Sequence, residues 1–273
     1  MQHKKHSLET FIGKNLFLSY VGGPTIVEDL SISIPTGEIT VIVGPNGCGK
    51  STLLKALARI LIPTSGSVLI NGSDIQSQKT KEIAQQLGLL PQNPSSPDTI
   101  VVSDLVRRGR YPHQGIFNQW SSDDEKAVTE ALSTTGLSPF ADRLVDELSG
   151  GQRQRVWIAM ILAQNTPIML LDEPTTHLDI AHQIEVLELL KKLSEQNGRT
   201  VIMVLHDLNL AMRYATNLIA MSEGEIREAG RPEDIVTSQM VRDVFSIEAE
   251  VIKDPIVGSP LCILSLQNSD WLF

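Results

Sequence analysis

Four apolar runs along the chain end at polar or glycine-rich segments. These runs occupy residues 38–43, 87–91, 167–171 and 200–205. Continuous apolar runs of this length are typical of strands buried on both faces of a parallel sheet. Because ligands bind at the carboxyl ends of such strands, we expect one site to gather the residues that follow the four runs. The pattern therefore predicts an α/β protein with its site at one edge of a buried sheet.

A second pattern, near the N-terminus, alternates between apolar and polar residues. Leu30–Ile34 alternates with a period of two, so one face of this strand should be buried and the other solvated. A short strand is predicted over Leu16–Tyr20, and Gly22–Pro24 marks a turn. Val68–Ile70 predicts another strand, which runs into an Asn-Gly turn. We therefore expect residues 8–35 to form an antiparallel β portion.

The segment Asn93–Pro97 interrupts these patterns, because its prolines suit neither a helix interior nor a strand interior. We interpret it as a hinge into a helical lobe that spans about residues 94–166. Within the lobe, Ser103 is predicted to cap one helix and Ser121 to cap another whose first turn is acidic. The segment Leu148–Gln152 is predicted to begin a third helix.

The glycine-rich segment after the first apolar run fits the phosphate-binding pattern G-x-x-x-x-G-K-[S/T] at every fixed position. Its members are Gly44, Pro45, Asn46, Gly47, Cys48, Gly49, Lys50, Ser51 and Thr52. A predicted strand precedes it and a predicted helix follows, so its backbone N–H groups should surround an anion at a helix N-terminus. Lys50 adds a positive charge for the β- and γ-phosphates, and the Ser51 hydroxyl suits Mg²⁺. The segment predicts a nucleotide-binding site.

Composition narrows the functional classes. The 273 residues are 41% hydrophobic, and no apolar run approaches the roughly 20 residues of a membrane span. A formal net charge of −9 argues against a protein that binds nucleic acid. Two cysteines are too few for a disulfide framework. We expect the protein to be cytosolic or peripheral on the cytoplasmic side of the cell membrane.

Taken together, the motifs resemble those of an ATP-binding cassette (ABC) ATPase. Besides the phosphate-binding loop, the resemblance rests on Gln92, Leu148–Gln152, Leu170–Pro174, Leu178–Asp179 and His206, which occur in the family's order. The serine-glycine segment separates this family from other P-loop proteins. Three further segments, residues 107–113, 148–162 and 182–187, resemble the ATPases of ferric-siderophore importers.

The resemblance implies a fold and a domain organisation. The expected fold is an α/β P-loop NTPase core, with a mixed sheet, helices and an antiparallel β portion. An α-helical subdomain should be inserted at about residues 94–166. The ABC ATPase domain is expected over residues 8–240, followed by a short C-terminal extension over residues 241–273.

The same resemblance implies roles for individual residues. Glu173 resembles the catalytic base, His206 the switch histidine at the γ-phosphate, and Gln92 the hinge glutamine that senses Mg²⁺ and water. Asp172, together with Ser51 and Gln92, is expected to hold Mg²⁺. Tyr20 resembles the aromatic residue that stacks on adenine. From the residues alone, a half-buried strand aromatic is the alternative for that tyrosine.

ABC ATPases act as two-fold dimers, and the resemblance implies a homodimer here. The residues expected to face the partner's nucleotide are Ser149, Gly150, Gly151 and Gln152, with Asp179 crossing to the partner. The other implied partners are integral membrane permease subunits and a substrate-binding protein of the same importer. No nucleic acid is expected, and ATP and Mg²⁺ are the expected cofactors.

The interpretation is therefore an ATP-hydrolysing importer subunit whose cargo is a ferric siderophore. The alternatives are a haem or cobalamin importer ATPase and, in another class, a soluble non-transport ABC ATPase. A regulatory nucleotide binder that does not hydrolyse ATP is disfavoured by Glu173 and His206. Arg110 and His113 are interpreted as solvated surface residues, with a contact to the membrane partner as the alternative.

Overall fold

The computed structural model describes residues 11–115, 120–176 and 178–265. Its strands are β1 (Phe11–Ser19), β2 (Thr25–Ile34), β3 (Ile39–Val43), β4 (Ser65–Ile70), β5 (Ser73–Asp74), β6 (Leu87–Leu90), β7 (Ile168–Asp172), β8 (Thr200–Val204), β9 (Asn217–Ser222), β10 (Glu225–Gly230), β11 (Ala249–Lys253) and β12 (Pro260–Leu264). Its α-helices are α1 (Lys50–Leu57), α2 (Thr80–Ala84), α3 (Val102–Arg107), α4 (Ser122–Thr134), α5 (Gly150–Gln164), α6 (Ile180–Asn197), α7 (Leu208–Tyr214), α8 (Pro232–Ile235) and α9 (Ser238–Phe245). Short 3₁₀ segments cover Arg108–His113, Ser138–Phe140 and Val145–Glu147.

The chain divides into two compact units. The first contains the described residues up to Gln76 and those from Met203 onward, and the second contains Ser77–Ile202. Strand β8 contains the boundary between them. The predicted helical lobe over residues 94–166 corresponds to a segment that carries α3, α4 and α5, all in the second unit.

The first unit contains both antiparallel and parallel strands. Strands β1, β2, β4 and β5 form an antiparallel sheet in the order β2-β1-β4-β5. Strand β9 pairs in parallel with β3 and antiparallel with β10. Burial in β2 alternates as predicted, since Leu30, Ile32 and Ile34 are buried while Ser31 is exposed. All five residues of β3 are buried, as the continuous apolar run predicts.

Strand β1 is longer than the predicted strand over Leu16–Tyr20. It begins at Phe11, which is fully buried, and it ends at Ser19, so Tyr20 lies outside it. Polar residues after Gly13 interrupt the apolar pattern, so the sequence does not predict the first half of the strand. The structure accommodates the interruption with a shift of register between Gly13 and Leu16.

The second unit contains parallel strands and most of the helices. Strand β6 pairs in parallel with β7, and β8 lies on the other side of β7. Every residue of β7 and β8 is buried. In α5, Val156, Ala159 and Ala163 are buried, whereas Met160 is only half-buried. The predicted break at Asn93–Pro97 contains neither helix nor strand.

Helix α3 does not begin at the predicted cap, because Ser103 lies inside its first turn and no side chain caps it. Backbone carbonyls satisfy the first N–H groups instead. The Val102 N–H donates to the Arg143 carbonyl oxygen at 3.0 Å, and the Ser103 N–H donates to the Ala141 carbonyl oxygen at 2.8 Å. Since a neighbouring segment supplies the acceptors that a cap would supply, the helix needs no serine at its start.

Arg110 is buried, so the prediction of a solvated residue at this position is wrong. The residue belongs to the 3₁₀ segment between α3 and α4 and is only 6% exposed. The guanidinium donates to Asp124 Oδ1 and to the Ala163 carbonyl oxygen, both at 2.8 Å. His113 is half-buried, with Nε2 2.7 Å from the Gln164 carbonyl oxygen. Both residues therefore join the 3₁₀ segment to α5.

The C-terminal part of the chain contains two short helices and a hairpin. Helices α8 and α9 precede β11 and β12, which pair antiparallel. The Asn209 side chain in α7 accepts from the Cys262 N–H at 2.8 Å and donates to the Cys262 carbonyl oxygen at 3.2 Å. The ends of the expected domain and extension, residues 8–10 and 266–273, lie outside the described residues. Within the described ranges, no helix is long and apolar enough to cross a membrane.

Candidate functional site

The phosphate-binding loop lies between β3 and α1 in the first unit. Gly44, Gly47 and Gly49 have φ angles of 151°, 81° and 102°, which side-chain-bearing residues rarely adopt. A Cβ on Gly44 would collide with the Met221 carbonyl oxygen and lie 2.9 Å from Cys48 Sγ. The backbone conformation and, at Gly44, the packing both require glycine at these predicted positions.

Lys50 lies inside this loop rather than on its surface. It is the first residue of α1 and only 5% exposed. Its Nζ donates to the carbonyl oxygens of Gly44 and Pro45, at 2.9 and 2.8 Å. A buried ammonium needs such partners, and carbonyl dipoles supply only partial negative charge. The arrangement suits an anionic ligand.

Cys48 occupies a free position of the loop motif, and it is buried. Burial raises the pKa of its thiol, and the nearby Lys50 ammonium lowers it only in part. Because the thiolate is the reactive form, this environment disfavours redox chemistry at Cys48.

Tyr20 lies directly after β1 in the turn that precedes β2. The residue lies outside the strand and is 44% exposed. The Lys55 Nζ is 5.8 Å from the centroid of its ring and 3.4 Å from its hydroxyl oxygen. A planar, exposed ring beside the helix that follows the phosphate-binding loop is a suitable surface for stacking a base.

In the second unit, two acids stand at the end of β7. Asp172 is the last residue of the strand and is buried. Glu173 follows with a φ of 54°, in the left-handed region. Successive residues of a regular strand point to opposite faces, and the left-handed residue ends that alternation. The backbone therefore turns immediately after Asp172.

The carboxylate of Glu173 is held by two side chains. Its Oε2 accepts from Gln92 Nε2 at 2.7 Å and from Thr176 Oγ1 at 3.0 Å. The structure thus brings together two predicted site residues that are 81 positions apart in the sequence. Gln92 lies in the segment after β6, so the ends of two neighbouring parallel strands meet here.

The serine-glycine segment begins α5. Ser149 is the N-cap, and its Oγ accepts from the Gln152 N–H at 3.3 Å. In return, Gln152 Oε1 accepts from the Ser149 N–H at 3.0 Å. This reciprocal capping box fixes the turn, in which Ser149 and Gly150 are exposed and Gly151 is buried. The predicted helix start is confirmed.

Asp179 is the N-cap of α6. Its Oδ1 accepts from the backbone N–H of His182 at 2.9 Å and lies 2.7 Å from His182 Nδ1. The hydrogen bonds from the His182 backbone and imidazole lower the pKa of this carboxyl group, so it is ionised at neutral pH.

His206 follows β8 in the first unit and is exposed. The neighbouring Asp207 is the N-cap of α7, and its carboxylate accepts from the Leu210 N–H at 2.9 Å. Of the polar residues that follow this strand, Asp207 therefore stabilises the start of α7.

The residues predicted to hold Mg²⁺ offer oxygen atoms of three kinds: the Ser51 hydroxyl, the Asp172 carboxylate and the Gln92 amide. Among the described residues, no group of three or more His, Cys, Asp or Glu could hold a metal ion. Mg²⁺ is commonly bound by one or two carboxylates together with substrate phosphates rather than by a protein cage. The donor set fits an ion of that kind.

Comparison with known proteins identifies the family. Residues 27–176 match the family described as ABC transporter. The chain belongs to the ABC transporter family. A relative from Bacillus anthracis, the petrobactin import ATP-binding protein FpuD, is 54% identical over 257 residues, which are 94% of this chain and 93% of the relative. The ferric enterobactin transport ATP-binding protein FepC of Escherichia coli (strain K12) is 52% identical over 251 residues, 92% of either chain.

Solved structures of ABC cassettes agree with this assignment. The dimeric post-hydrolysis state of the ATP-binding cassette MJ0796, bound to ADP and Pi, has a TM-score of 0.70 and is 32% identical. The match covers 81% of this chain and 98% of that one. The predicted α/β P-loop fold is confirmed, and this ABC protein is an ATPase.

Two residues of this ABC ATPase that contact the predicted site residues were not predicted. Thr176 contacts Glu173, and His182 contacts Asp179. The signal for Thr176 is its spacing of three residues after the acid, and for His182 the same spacing after an N-cap aspartate. Such spacings are common in turns and helix starts, so they single out a residue only when the nearby acid has already been recognised.

Proposed function

We propose that this chain is the ATP-hydrolysing subunit of an importer that takes up a ferric siderophore through a separate membrane permease. The observation that carries the proposal is the high identity, over more than nine tenths of both chains, to proteins named for petrobactin import and ferric enterobactin transport. These names favour a siderophore over haem or cobalamin as the cargo. They also favour transport over a non-transport ABC ATPase.

In this proposal the first unit binds ATP. The backbone N–H groups of the loop from Gly44 to Thr52 and the Lys50 ammonium bind the β- and γ-phosphates. Tyr20 stacks on the adenine base. Ser51, Asp172 and Gln92 hold Mg²⁺, which when bound neutralises charge on the phosphates.

Glu173 acts as the base that polarises the attacking water. The hydrogen bonds from Gln92 and Thr176 both end on Oε2, so they fix the direction of the carboxylate without removing its charge. Gln92 therefore has two proposed roles, since it also senses Mg²⁺. His206 contacts the γ-phosphate and keeps the attacking water in line.

Two copies of the chain form the ATP-bound dimer. The turn of Ser149, Gly150, Gly151 and Gln152 faces the partner's nucleotide, and Asp179 crosses to the partner subunit. The similar cassette MJ0796, which is dimeric with ADP and Pi, supports the formation of a dimer. Loss of the γ-phosphate, which bridges the two copies, lets the dimer open.

The other partners are integral membrane permease subunits and a substrate-binding protein of the same importer, and the ATPase is peripheral on the cytoplasmic side. We place the permease contact near residues 107–113, where Arg107, Tyr111 and Trp120 line a surface cavity of about 360 Å³. The Arg107 guanidinium lies 5.3 Å from the Trp120 ring. Arg110 is not part of this contact, because it is buried against Asp124.

Uptake measurements in the source cell test the proposal. Deletion of the protein is expected to abolish uptake of one or more ferric siderophores while sugar and amino-acid uptake continue. The wild-type chain should restore uptake, and Lys50→Ala should not. Loss of cobalamin or haem uptake with unchanged siderophore uptake would retain the importer and reject the cargo. Unchanged uptake of all these cargoes would reject the importer.

A further inference from the structure

His182 touches two segments of the second unit at once. It lies in the first turn of α6, three residues after Asp179. Its Nδ1 and its backbone N–H both contact Asp179 Oδ1, at 2.7 and 2.9 Å. Two contacts from one residue to the same oxygen restrict the rotation of the carboxylate. The imidazole therefore sets the direction in which Asp179 points.

The other face of the same imidazole lies against α5. A Cβ built on Gly151 would lie 2.6 Å from His182 Cγ and closer still to Cδ2. Real side chains do not approach so closely, so the ring occupies the space that any other residue at position 151 would need. Gly151 is the second residue of α5, and Ser149 is the N-cap of that helix.

This contact does little for the stability of the fold. The side chains of His182 and Asp179 are 32% and 67% exposed, and exposed ion pairs contribute little to the free energy of unfolding. Its effect is geometric, because the ring has Asp179 on one side and the start of α5 on the other.

We propose that His182 is a positioning residue that holds Asp179 and the turn from Ser149 to Gly151 in one fixed arrangement. The inference rests on the proposed function, in which both groups act on the partner's nucleotide. Groups that reach a substrate across an interface act well only when their relative positions are fixed, and a displacement of about 1 Å can cost roughly 100-fold in rate. Without the imidazole, Asp179 and the turn would move independently.

Steady-state ATPase kinetics of the purified full chain test the role. His182→Ala is expected to lower kcat by about tenfold, less than the roughly 100-fold that a displacement of a whole ångström can cost. The KM for ATP and the melting temperature should change little, because His182 is not assigned to the chain's own nucleotide. In His182→Asn the amide can reach the Nδ1 position, so this variant should recover most of kcat. His182→Phe keeps a ring but no donor, and should not recover.

Glu195→Ala, on the exposed face of the same helix, is the matched control and should keep the wild-type kcat. An unchanged kcat in His182→Ala would overturn the role, as would equal losses in His182→Ala and His182→Asn. Glu173→Gln separates this result from the proposed function. If that variant is inactive while His182→Ala is normal, only the role of His182 falls. If Glu173→Gln hydrolyses ATP normally, the proposed catalytic function falls.

A second measurement tests the packing without reference to ATP. Gly151→Ala is expected to lower the melting temperature of the wild-type chain, because the new Cβ meets the imidazole. In the His182→Ala background the same change should lower it less. Equal losses in the two backgrounds would show that the ring does not occupy this space, and would overturn the arrangement.

Discussion

Among single residues, the proposed catalytic base Glu173 has a carboxylate held by two side chains. Gln92 and Thr176 both donate to its Oε2. Motif spacing predicts the acid and the glutamine, because each ends an apolar run in the family's order. It does not predict the contact between them, nor the part played by Thr176, because these depend on how distant segments meet. Sequence does not reveal the burial of Arg110 for the same reason, since its partner Asp124 is 14 positions away.

Glu173→Gln is expected to slow ATP hydrolysis by at least about 100-fold, because loss of a general base typically costs that much. The amide can still accept from Gln92 and Thr176, so ATP binding should persist and an ATP-bound dimer should accumulate. Turnover in a coupled phosphate-release assay and gel filtration with ATP measure the two effects. Glu223→Gln is the matched control, since Glu223 is also left-handed, with a φ of 53°, and is exposed. Near-normal turnover by Glu173→Gln would contradict the assignment of Glu173 as the catalytic base.

Among helices and strands, the starts of α4 and α5 follow from sequence and the start of α3 does not. Ser121 and Ser149 each form a capping box within their own first turn, so the signal is local. The acceptors that begin α3 come from residues 141 and 143, which no local pattern reveals. The core strands were predictable because continuous burial leaves an unbroken apolar run, whereas the bulge in β1 broke its pattern.

Arg110, in the 3₁₀ segment, joins Asp124 of α4 to Ala163 of α5. The contribution of this contact to the stability of the fold should depend on pH. Burial raises the pKa of the Asp124 carboxyl group, but hydrogen bonds from Ser121 and Arg110 outweigh it and hold the pKa below its usual range. The ionised form therefore stabilises the folded state above the ordinary aspartate pKa of about 4, and this contribution is lost as the pH falls through the lowered folded-state pKa.

Asp124→Asn is expected to lower the free energy of unfolding by about 2–4 kcal/mol at neutral pH, because a buried guanidinium loses its counter-charge. The difference from the wild type should shrink as the pH falls below the ordinary aspartate pKa of about 4 and through the lowered pKa of the folded state, where the wild-type carboxylate becomes protonated. Urea unfolding across that range measures it. Asp123→Asn, exposed in the same turn, controls for the helix dipole. A difference that stays constant with pH would contradict the role of the ionised pair.

At the scale of the whole molecule, the fold class and the family were predictable from ordered motifs, because those motifs mark the ends of buried strands. The permease contact was harder to predict from the sequence. Within residues 107–113, only the degree of burial distinguishes Arg110 from the exposed residues that suit a contact. The proposed nucleotide site is shared by two chains, so it can be tested by mixing two different variants.

Ser149→Arg and Lys50→Ala should each be inactive alone. When the two proteins are mixed, a dimer of one copy of each contains one site with an intact loop and an intact serine turn. Partial ATPase activity should therefore return, measured against the sum of the separate activities. As a control, the double variant Lys50→Ala/Ser149→Arg mixed with Lys50→Ala should stay inactive, because neither protein has an intact loop. A mixture no more active than its parts would reject the shared site.

The left-handed backbone at Glu173 also bears on how the protein responds to selection for heat resistance. A residue with a Cβ in that conformation costs about 1–2 kcal/mol, whereas glycine adopts it freely and asparagine tolerates it. A thermostability screen that ignores turnover would therefore enrich Glu173→Gly and Glu173→Asn, and so collect sturdier proteins that no longer hydrolyse ATP. The same relief is available at Glu223, which has no assigned part in the chemistry. Gains in heat resistance at position 223 are compatible with transport, and gains at position 173 are not.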